Sequence, residues 1–238
     1  MTLPVRRDGR PLVIGHRGAP KLAPENTLAS FEAAVAAGAD LVEFDVGHGL
    51  RIGHSERERP AEEAHLGDVL ALLRDLGAGM HVDLKCVGIE QAVVDEARRC
   101  GVEDRVVIST TWGRSLRRLA AIAPGIPRAL GYPRDRLGAS TLTWPRFVTS
   151  PAAAAARAVV PARIPLLLSA SRANVLSLHG AFASNRVVEA VHARGAAILV
   201  WTVNDPAAVE RFAALGVDGI VTDDPGMALQ TLARLKTL

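Results

Sequence analysis

Residues 41–46 read Leu-Val-Glu-Phe-Asp-Val, and residues 82–85 read Val-Asp-Leu-Lys. Each segment places two charged residues two positions apart in an apolar, strand-like run: Glu43 with Asp45, and Asp83 with Lys85. Because side chains alternate between the two faces of a strand, both members of each pair point to the same side. Buried charge is costly unless it meets a metal ion, an opposite charge or an anionic ligand. The two segments therefore predict three carboxylates and an ammonium group facing a common interior.

The rest of the chain alternates between apolar, strand-like runs and helix-like runs. The apolar runs predict eight strands, over residues 12–15, 41–46, 80–85, 105–109, 126–130, 174–178, 196–203 and 219–222. Residues 50–54 are predicted as a short extension after the second strand. Eight strand–helix repeats in 238 residues predict the α/β class and a single (β/α)8 TIM barrel domain over residues 1–238, because such barrels typically have about 250 residues.

A doubly wound open sheet is the rival architecture. The barrel is favoured because charged residues follow several different strands, and the active sites of TIM barrels lie at the carboxyl ends of the strands. Helix starts are marked by capping residues: Asn26 or Thr27, Asp205 before Pro206, and Asp224 before Pro225. Residues 134–172 contain an alanine run between prolines, which predicts a partial helix, with a loop over the site as a second interpretation.

Composition excludes several classes of protein. The formal net charge is +3, from 28 basic and 25 acidic residues, and aromatic residues are scarce, so we predict no nucleic-acid partner. Cys86 and Cys100 have no metal-like or redox-like spacing, and we expect reduced thiols. No segment resembles a signal peptide or approaches the roughly 20 apolar residues of a membrane span. We therefore expect a cytoplasmic protein without an integral membrane segment.

His16, Arg17 and Gly18 follow the first strand, where a barrel places its first catalytic loop. An imidazole can act as a general acid or base near neutral pH, and a guanidinium group offers planar donors that suit a phosphate. Gly18 allows a close approach of the backbone. The alternative interpretation is a capped strand end with a solvated arginine.

Glu43 and Asp45 are expected to face the barrel interior near its mouth, with Phe44 pointing to the helices. Such hard oxygen ligands fit Mg²⁺ or Ca²⁺ better than zinc, and Asp83 supplies a third. The alternative for the acidic residues is a buried salt bridge to Lys85 or to an arginine. Lys85 can also neutralise a phosphate oxygen.

Three further residues are candidates for the same site. His54 ends the extension after the second strand and would form an acid–base pair with His16. Glu25 can orient His16 or a neighbouring arginine. Trp201 ends the seventh strand as either the apolar wall of a substrate pocket or a core residue. Residues 219–225 are assigned a structural role first.

Five stretches of the chain resemble the glycerophosphodiester phosphodiesterase family, whose barrel is shared with phosphatidylinositol-specific phospholipase C. They are GHRGAPKLAPENTLASFEAAVAAGADLVEFDV (15–46), GH (53–54), VDLK (82–85), LSLHG (176–180) and VWTVNDPAAVERFAALGVDGIVTDDP (200–225). The first and last stretches are long and specific, and together the matches bracket nearly the whole chain.

The resemblance implies hydrolysis of a small-molecule glycerophosphodiester to glycerol 3-phosphate and an alcohol, with one divalent cation, Mg²⁺ or Ca²⁺, as cofactor. By motif position it implies the metal ligands Glu43, Asp45 and Asp83, the general acid–base pair His16 and His54, and the phosphate contacts Arg17 and Lys85 with Glu25 in support. The nucleophile is either water or the substrate's own glycerol hydroxyl, which would give a cyclic phosphate.

The chain departs from the family pattern near the second strand. Ser55 follows His54 in place of the usual aspartate, the usual charged turn and long insertion are missing, and Asp83 replaces the commoner glutamate. A more open mouth is similar to that of sphingomyelinase D-like phospholipases, so phospholipase D-like hydrolysis of lysophospholipids is an alternative activity. A non-catalytic phosphate-binding barrel is a third alternative, against which the intact histidines and acidic residues argue.

Overall fold

Eight parallel strands close into a barrel in the computed structural model of the protein, which describes residues 5–6, 8–53, 64–133 and 151–235. The strands are Leu12–Gly15 (β1), Leu41–Val46 (β2), Gly79–Leu84 (β3), Val106–Thr110 (β4), Arg128–Tyr132 (β5), Val175–His179 (β6), Ala197–Trp201 (β7) and Gly219–Thr222 (β8). Each strand pairs with its neighbours in the sequence, and β8 pairs with β1. The (β/α)8 TIM barrel is therefore confirmed, and the open sheet is excluded because it would leave β1 and β8 apart.

Helices follow the strands around the outside of the barrel. Those in the described ranges are Leu28–Ala36 (α1), Leu66–Asp75 (α2), Glu90–Arg99 (α3), Gly113–Ile122 (α4), Pro151–Ser171 (α5), Asn185–His192 (α6), Pro206–Leu215 (α7) and Pro225–Leu235 (α8). Thr27 caps α1 by accepting the N–H of Ser30, and Asp205 and Asp224 cap α7 and α8 in the same way. The helix predicted within residues 134–172 is α5, and residues 134–150 lie outside the described residues.

Strand ends differ from the prediction by one or two residues, and the largest change follows β2. The predicted extension over residues 50–54 is replaced by a 3-10 turn, His48–Leu50, and by isolated antiparallel bridges from Arg51 and Ile52. These residues cannot extend β2 because the chain reverses direction there, as the antiparallel bridge from Ile52 back to Val46 shows. His54, the candidate acid–base residue of this stretch, lies outside the described residues.

Strand alternation separates two apolar layers. One lies inside the barrel and is built from Leu12, Ile14, Leu41, Val107, Ala129, Val175, Ala197, Leu199 and Val221. The other lies between strands and helices, where the rings of Phe44 on β2 and Phe31 on α1 are 5.5 Å apart between centroids. Phe44 thus points to the helices as predicted, and its neighbours in β2 face the interior.

Polar residues placed one position before β2, β6 and β8 close the amino-terminal end of the barrel. In each case, the side-chain oxygen of the polar residue accepts the backbone N–H of one residue in the preceding strand at 2.7–2.8 Å. The backbone N–H of the polar residue donates to the carbonyl of that same strand residue. The three pairs, here called floor clamps, are Asp40 with Val13, Asn174 with Arg128, and Asp218 with Ile198. They satisfy backbone groups that the barrel would otherwise leave buried without partners.

Basic side chains reinforce two of the floor clamps. Arg10 forms a bidentate ion pair with Asp40, with N–O distances of 2.6 and 2.9 Å. Nε2 of His192 lies 2.8 Å from Oδ2 of Asp218. Cys86 and Cys100 are free thiols, as expected. None of the helices in the described ranges is both long enough and apolar enough to cross a membrane.

We expect Asp40→Ala to lower the free energy of unfolding by roughly 2–4 kcal/mol, because it removes the ion-pair partner of Arg10 and the acceptor of the Val13 N–H. Asp40→Asn keeps an acceptor for the N–H and should lose about half as much. Urea unfolding would measure both. The matched control is Asp75→Ala, whose exposed ion pair with Arg74 should contribute less than about 1 kcal/mol. Equal losses in all three variants would contradict the role of the clamp.

Candidate active site

The interior alternation that builds the barrel core continues into a ring of polar and aromatic residues at the carboxyl ends of the strands. On or directly after β1, β2, β3 and β8 these residues are charged or titratable: His16, Glu43, Asp45, Asp83, Lys85 and Asp223. On β6 and β7 they are the rings of His179 and Trp201. The mouth of the barrel is therefore divided into a charged side and an aromatic side.

Three carboxylates meet on the charged side. Glu43, Asp45 and Asp83 each place one carboxylate oxygen within 4.8 Å of the others, and no second group of this kind occurs in the ranges that the structure describes. Glu43 and Asp45 are buried, and Asp83 is partly exposed toward the mouth. A set of oxygen donors alone suits a hard divalent cation. The residues present therefore fit the cation that the sequence predicts.

Two cations of the chain also lie against these carboxylates. Lys85 Nζ is 2.8 Å from Asp45 Oδ1 and 2.5 Å from Asp83 Oδ2, and Arg17 Nε is 3.1 Å from Asp45 Oδ2. Burial lowers the pKa of Lys85, but the carboxylates of Asp83 and Asp45 outweigh it and raise the pKa overall. The predicted salt bridge and the predicted acidic cluster are thus both present in one network.

Glu43 is buried at the centre of the charged side. It accepts the backbone N–H of Arg17 at 2.8 Å. Burial, reinforced by the charge of Asp45, raises the pKa of Glu43 to about 7. Its carboxyl group therefore exchanges a proton near neutral pH, and a cation that binds there replaces that proton.

Two polar side chains hold the other carboxylates in place. Asn26 donates Nδ2–H to Asp45 Oδ2 at 3.2 Å and accepts the backbone N–H of Asp45 at 3.1 Å. Ser109 donates its hydroxyl to Asp83 Oδ1 at 2.6 Å. The capping role considered for Asn26 is wrong, because Thr27 caps α1 and Asn26 is buried against β2. Its position just before a helix is typical of an N-cap residue. Its role in holding Asp45 is visible only from its contact with β2.

Arg17 lies in a tight turn beside this cluster. Both Arg17 and Gly18 have a left-handed backbone conformation, with φ of 51° and 93°. A Cβ atom at Gly18 would lie 2.3 Å from Ser30 Oγ, so only glycine allows the turn to pack on α1. The guanidinium group bridges Asp45 and the half-exposed Glu25, whose Oε1 is 2.7 Å from the Arg17 Nη1 atom. Glu25 therefore contacts Arg17, one of its two predicted partners.

His16 is held by Asp223, which lies in the stretch 219–225 for which a structural role was predicted first. Its Nδ1 atom lies 2.7 Å from Oδ1 of Asp223, which follows β8 directly as His16 follows β1. Burial lowers the pKa of His16, but the hydrogen bond to Asp223 and the charge of Glu43 raise it overall. Burial raises the pKa of Asp223, yet the hydrogen bonds from His16 and Asn204 make the net shift downward. The sequence signal was available, since barrel closure joins the ends of β8 and β1.

His81 is another residue that the sequence analysis missed. It faces the interior on β3, opposite Glu43 in the strand pairing, and burial lowers the pKa of its ring to about 4. Neither ring nitrogen has a hydrogen-bond partner among the described residues. A neutral imidazole at this position adds no positive charge to offset the carboxylate of Glu43. Its place in the pattern, two residues before Asp83, would have revealed that it points inward.

The aromatic side consists of two neighbouring rings. Trp201 packs edge-to-face on His179, with ring centroids 5.0 Å apart and an interplanar angle of 79°. Burial lowers the pKa of His179 to about 4, and its Nδ1 accepts the N–H of Ala181. Trp201 also packs on the interior core and stays partly exposed at the mouth. An uncharged aromatic wall therefore faces the acidic cluster across the barrel.

Comparison with known proteins identifies the group to which this arrangement is similar. A model of the glycerophosphoryl diester phosphodiesterase family matches residues 16–48 and 78–227, more than half of the chain. A glycerophosphodiester phosphodiesterase of Caldanaerobacter subterraneus is 28% identical over 257 residues, which cover 90% of this chain and 94% of that protein. One from Bacillus altitudinis is 26% identical, with 94% and 99% covered.

Solved structures show the same fold. A phosphodiesterase from Oleispira antarctica, solved in complex with the product sn-glycerol 3-phosphate, superposes with a TM-score of 0.70 at 20% identity, covering 94% of this chain and 97% of that one. A glycerophosphodiester phosphodiesterase from Parabacteroides distasonis gives a TM-score of 0.73 at 18% identity, with 95% and 98% covered. At these identities the likeness establishes the barrel alone.

We expect Glu43→Gln to stabilise the metal-free protein at pH 8 but not at pH 4. The pKa of Glu43 is raised by folding, so its contribution to stability is present below its unfolded pKa and is lost as the pH rises through about 7. At pH 8 the amide avoids a buried charge, and the gain should be roughly 2–3 kcal/mol. Urea unfolding in EDTA at both pH values measures it.

Glu32→Gln, on the exposed face of α1, is the matched control and should change stability at neither pH. A metal-free Glu43→Gln protein that is less stable than the wild type at pH 8 would contradict the prediction. It would mean that ionised Glu43 makes a net stabilising interaction with the surrounding cations.

Proposed function

This chain belongs to the glycerophosphoryl diester phosphodiesterase family, and we propose that it hydrolyses glycerophosphodiesters to glycerol 3-phosphate and an alcohol with the aid of a divalent cation. The observation that supports this most is the group of three carboxylates at the barrel mouth beside His16, Arg17 and Lys85. Residues suited to hold a metal ion, to contact a phosphate and to transfer a proton thus lie together on one side of the barrel mouth.

The cation would be held by Glu43, Asp45 and Asp83. When bound, Mg²⁺ or Ca²⁺ would polarise a phosphoryl oxygen and favour deprotonation of the nucleophile. Lys85 spans Asp45 and Asp83, and with a cation held by these carboxylates its ion pairs would weaken, so that its ammonium group would be available to the substrate. In this proposal the resting salt bridges hold the carboxylates together until the cation arrives.

Arg17 and Lys85 would bind the phosphate. Arg17 is anchored by Glu25 and Asp45, which fixes the plane of the guanidinium group. A planar fork of donors suits two oxygens of a phosphodiester, while the ammonium group of Lys85 supplies a point charge. Together they would offset the negative charge that gathers on the phosphoryl oxygens as the reaction proceeds.

His16 and His54 would perform the proton transfers. One takes the proton of the attacking hydroxyl as the new phosphorus–oxygen bond forms, and the other gives a proton to the leaving alkoxide as the old bond breaks. The attacking hydroxyl belongs to water or to the glycerol of the substrate, and in the second case water then opens a cyclic phosphate. Gly53, the residue before His54, donates its N–H to the carbonyl of Asp45 at 3.0 Å, which brings the chain to the end of β2 at that point.

We expect release of glycerol 3-phosphate from glycerophosphocholine or glycerophosphoethanolamine in the presence of Mg²⁺, Ca²⁺ or Mn²⁺, and none in EDTA. His16→Ala and His54→Ala should each lower turnover by roughly 10²–10⁴-fold, because each removes one proton-transfer group. A coupled assay for glycerol 3-phosphate measures all of these rates. His48→Ala, an exposed histidine of the same stretch, is the control and should keep the wild-type rate.

Near-wild-type rates in either histidine variant would refute the acid–base assignment. No release with any cation would favour lysophospholipids as the substrates. These are assayed next, by release of the head-group alcohol. A folded protein that acts on neither class would be a non-catalytic phosphate-binding barrel.

We also propose that Trp201 contacts the organic part of the substrate. Trp201→Leu should raise KM by about fivefold and change kcat by less than twofold, because it removes an aromatic contact worth roughly 1 kcal/mol and touches no reacting group. Steady-state kinetics with a melting curve for each protein measures the effect. A fall in melting temperature with unchanged KM would instead make Trp201 a core residue.

A further inference from the structure

We propose that Asn204 is a positioning residue for the reaction, which acts through Asp223 to fix the ring of His16 in one orientation and one tautomer. The inference rests on the function proposed above for His16, and it adds a residue that neither the resemblance nor the acidic cluster identifies. Asn204 lies three residues beyond the end of β7, whereas His16 and Asp223 follow β1 and β8.

Both carboxylate oxygens of Asp223 are occupied. Oδ1 meets Nδ1 of His16 at 2.7 Å, and Oδ2 accepts a hydrogen bond from Nδ2 of Asn204. A carboxylate held at both oxygens cannot rotate about its bond to Cβ without losing one of these contacts. The direction of Oδ1 toward the imidazole is therefore set by Asn204.

The amide of Asn204 has only one favourable orientation. Its Oδ1 accepts the backbone N–H of Asp223 at 2.8 Å and the hydroxyl of Thr222 at 3.1 Å. A flipped amide would place its N–H₂ group against these two donors and its oxygen against the carboxylate. The amide thus binds the backbone of β8 with one end and the carboxylate with the other.

His16 is fixed at two points by the same strand. Its backbone N–H donates to the carbonyl of Thr222 at 2.8 Å, and its ring contacts Asp223. An ionised carboxylate only accepts hydrogen bonds, so Nδ1 of His16 must carry a proton, and the lone pair of the neutral ring is on Nε2. A carboxylate that holds a histidine in the required tautomer and stabilises its protonated form is an established device in hydrolases. Here Asn204 would hold that carboxylate.

The decisive variant is Asn204→Asp. It keeps an oxygen that can accept from Thr222 and from the Asp223 N–H, but it replaces the donor to the Asp223 carboxylate with an oxygen. Because the new carboxylate also repels that of Asp223, a melting curve for each variant separates a loss of positioning from a loss of folding. We expect kcat to fall by roughly 10- to 100-fold in Asn204→Asp and in Asn204→Ala, with KM changed by less than threefold.

A double-mutant cycle tests the pathway through Asp223. If Asn204 acts through Asp223, adding Asn204→Ala to Asp223→Ala should cause less than a twofold further loss of kcat. Losses that multiply in the double variant, or a wild-type kcat in Asn204→Asp, would overturn the proposal. Asn185→Ala, at an exposed asparagine on α6, is the control and should match the wild type.

A spectroscopic measurement separates this inference from the function on which it rests. In ¹⁵N-labelled protein, with His16 assigned from a His16→Gln sample, the wild-type ring should show a protonated Nδ1 and an unprotonated Nε2 when neutral. Asn204→Ala should shift both ¹⁵N signals toward a mixture of tautomers. An unchanged pair of signals overturns the positioning role, whereas the expected shift in a protein that hydrolyses none of the tested diesters supports it and refutes the proposed activity.

Discussion

Mutual repulsion among Glu43, Asp45 and Asp83 is the constraint around which the mouth of the barrel is organised. These carboxylates lie within 4.8 Å of one another at the end of a largely apolar barrel interior, and each neighbouring group lowers the cost of keeping them there. Lys85 and Arg17 supply positive charge, and Asn26 and Ser109 supply hydrogen bonds. A proton on Glu43 removes part of the remaining charge near neutral pH. The same arrangement that makes the metal-free site costly makes it receptive to a divalent cation.

The mouth divides its tasks between two arcs of the barrel. Strands β1, β2, β3 and β8 carry the charged groups, and the strands opposite carry the rings of His179 and Trp201. A phosphodiester has the same division, with a charged centre and organic substituents on either side. Burial lowers the pKa of His179 to about 4, so in the proposed function the aromatic arc would not compete with Lys85 and Arg17 for a phosphate. In the proposed function, the charged arc would face the phosphate and the aromatic arc would face an organic substituent.

Local pattern predicted the barrel and most of its site, because alternation along a strand determines which side chains meet inside. For β2, the spacing of its apolar and charged residues was enough to predict which side chains face the interior. The contacts of Asn26 with β2 and of His16 with Asp223 were missed because they join segments that are far apart in the sequence, the second pair by 207 residues. Asn26 also precedes a helix, so its local context suggested a cap. His54 stays a prediction, since it lies outside the described residues.

The floor clamps also fix the register of the strands. A strand that slipped by one residue against its neighbour would exchange its two faces, so that Phe44 would enter the barrel and Glu43 and Asp45 would turn out among the helices. Asp40 prevents this at the start of β2, since its side chain and backbone both bind one residue of β1. The orientation of the acidic cluster is therefore specified at the opposite end of the strand. Substitutions at the mouth can change which substrate is accepted. The strand register that points any new side chain inward is set by the floor clamps and stays the same.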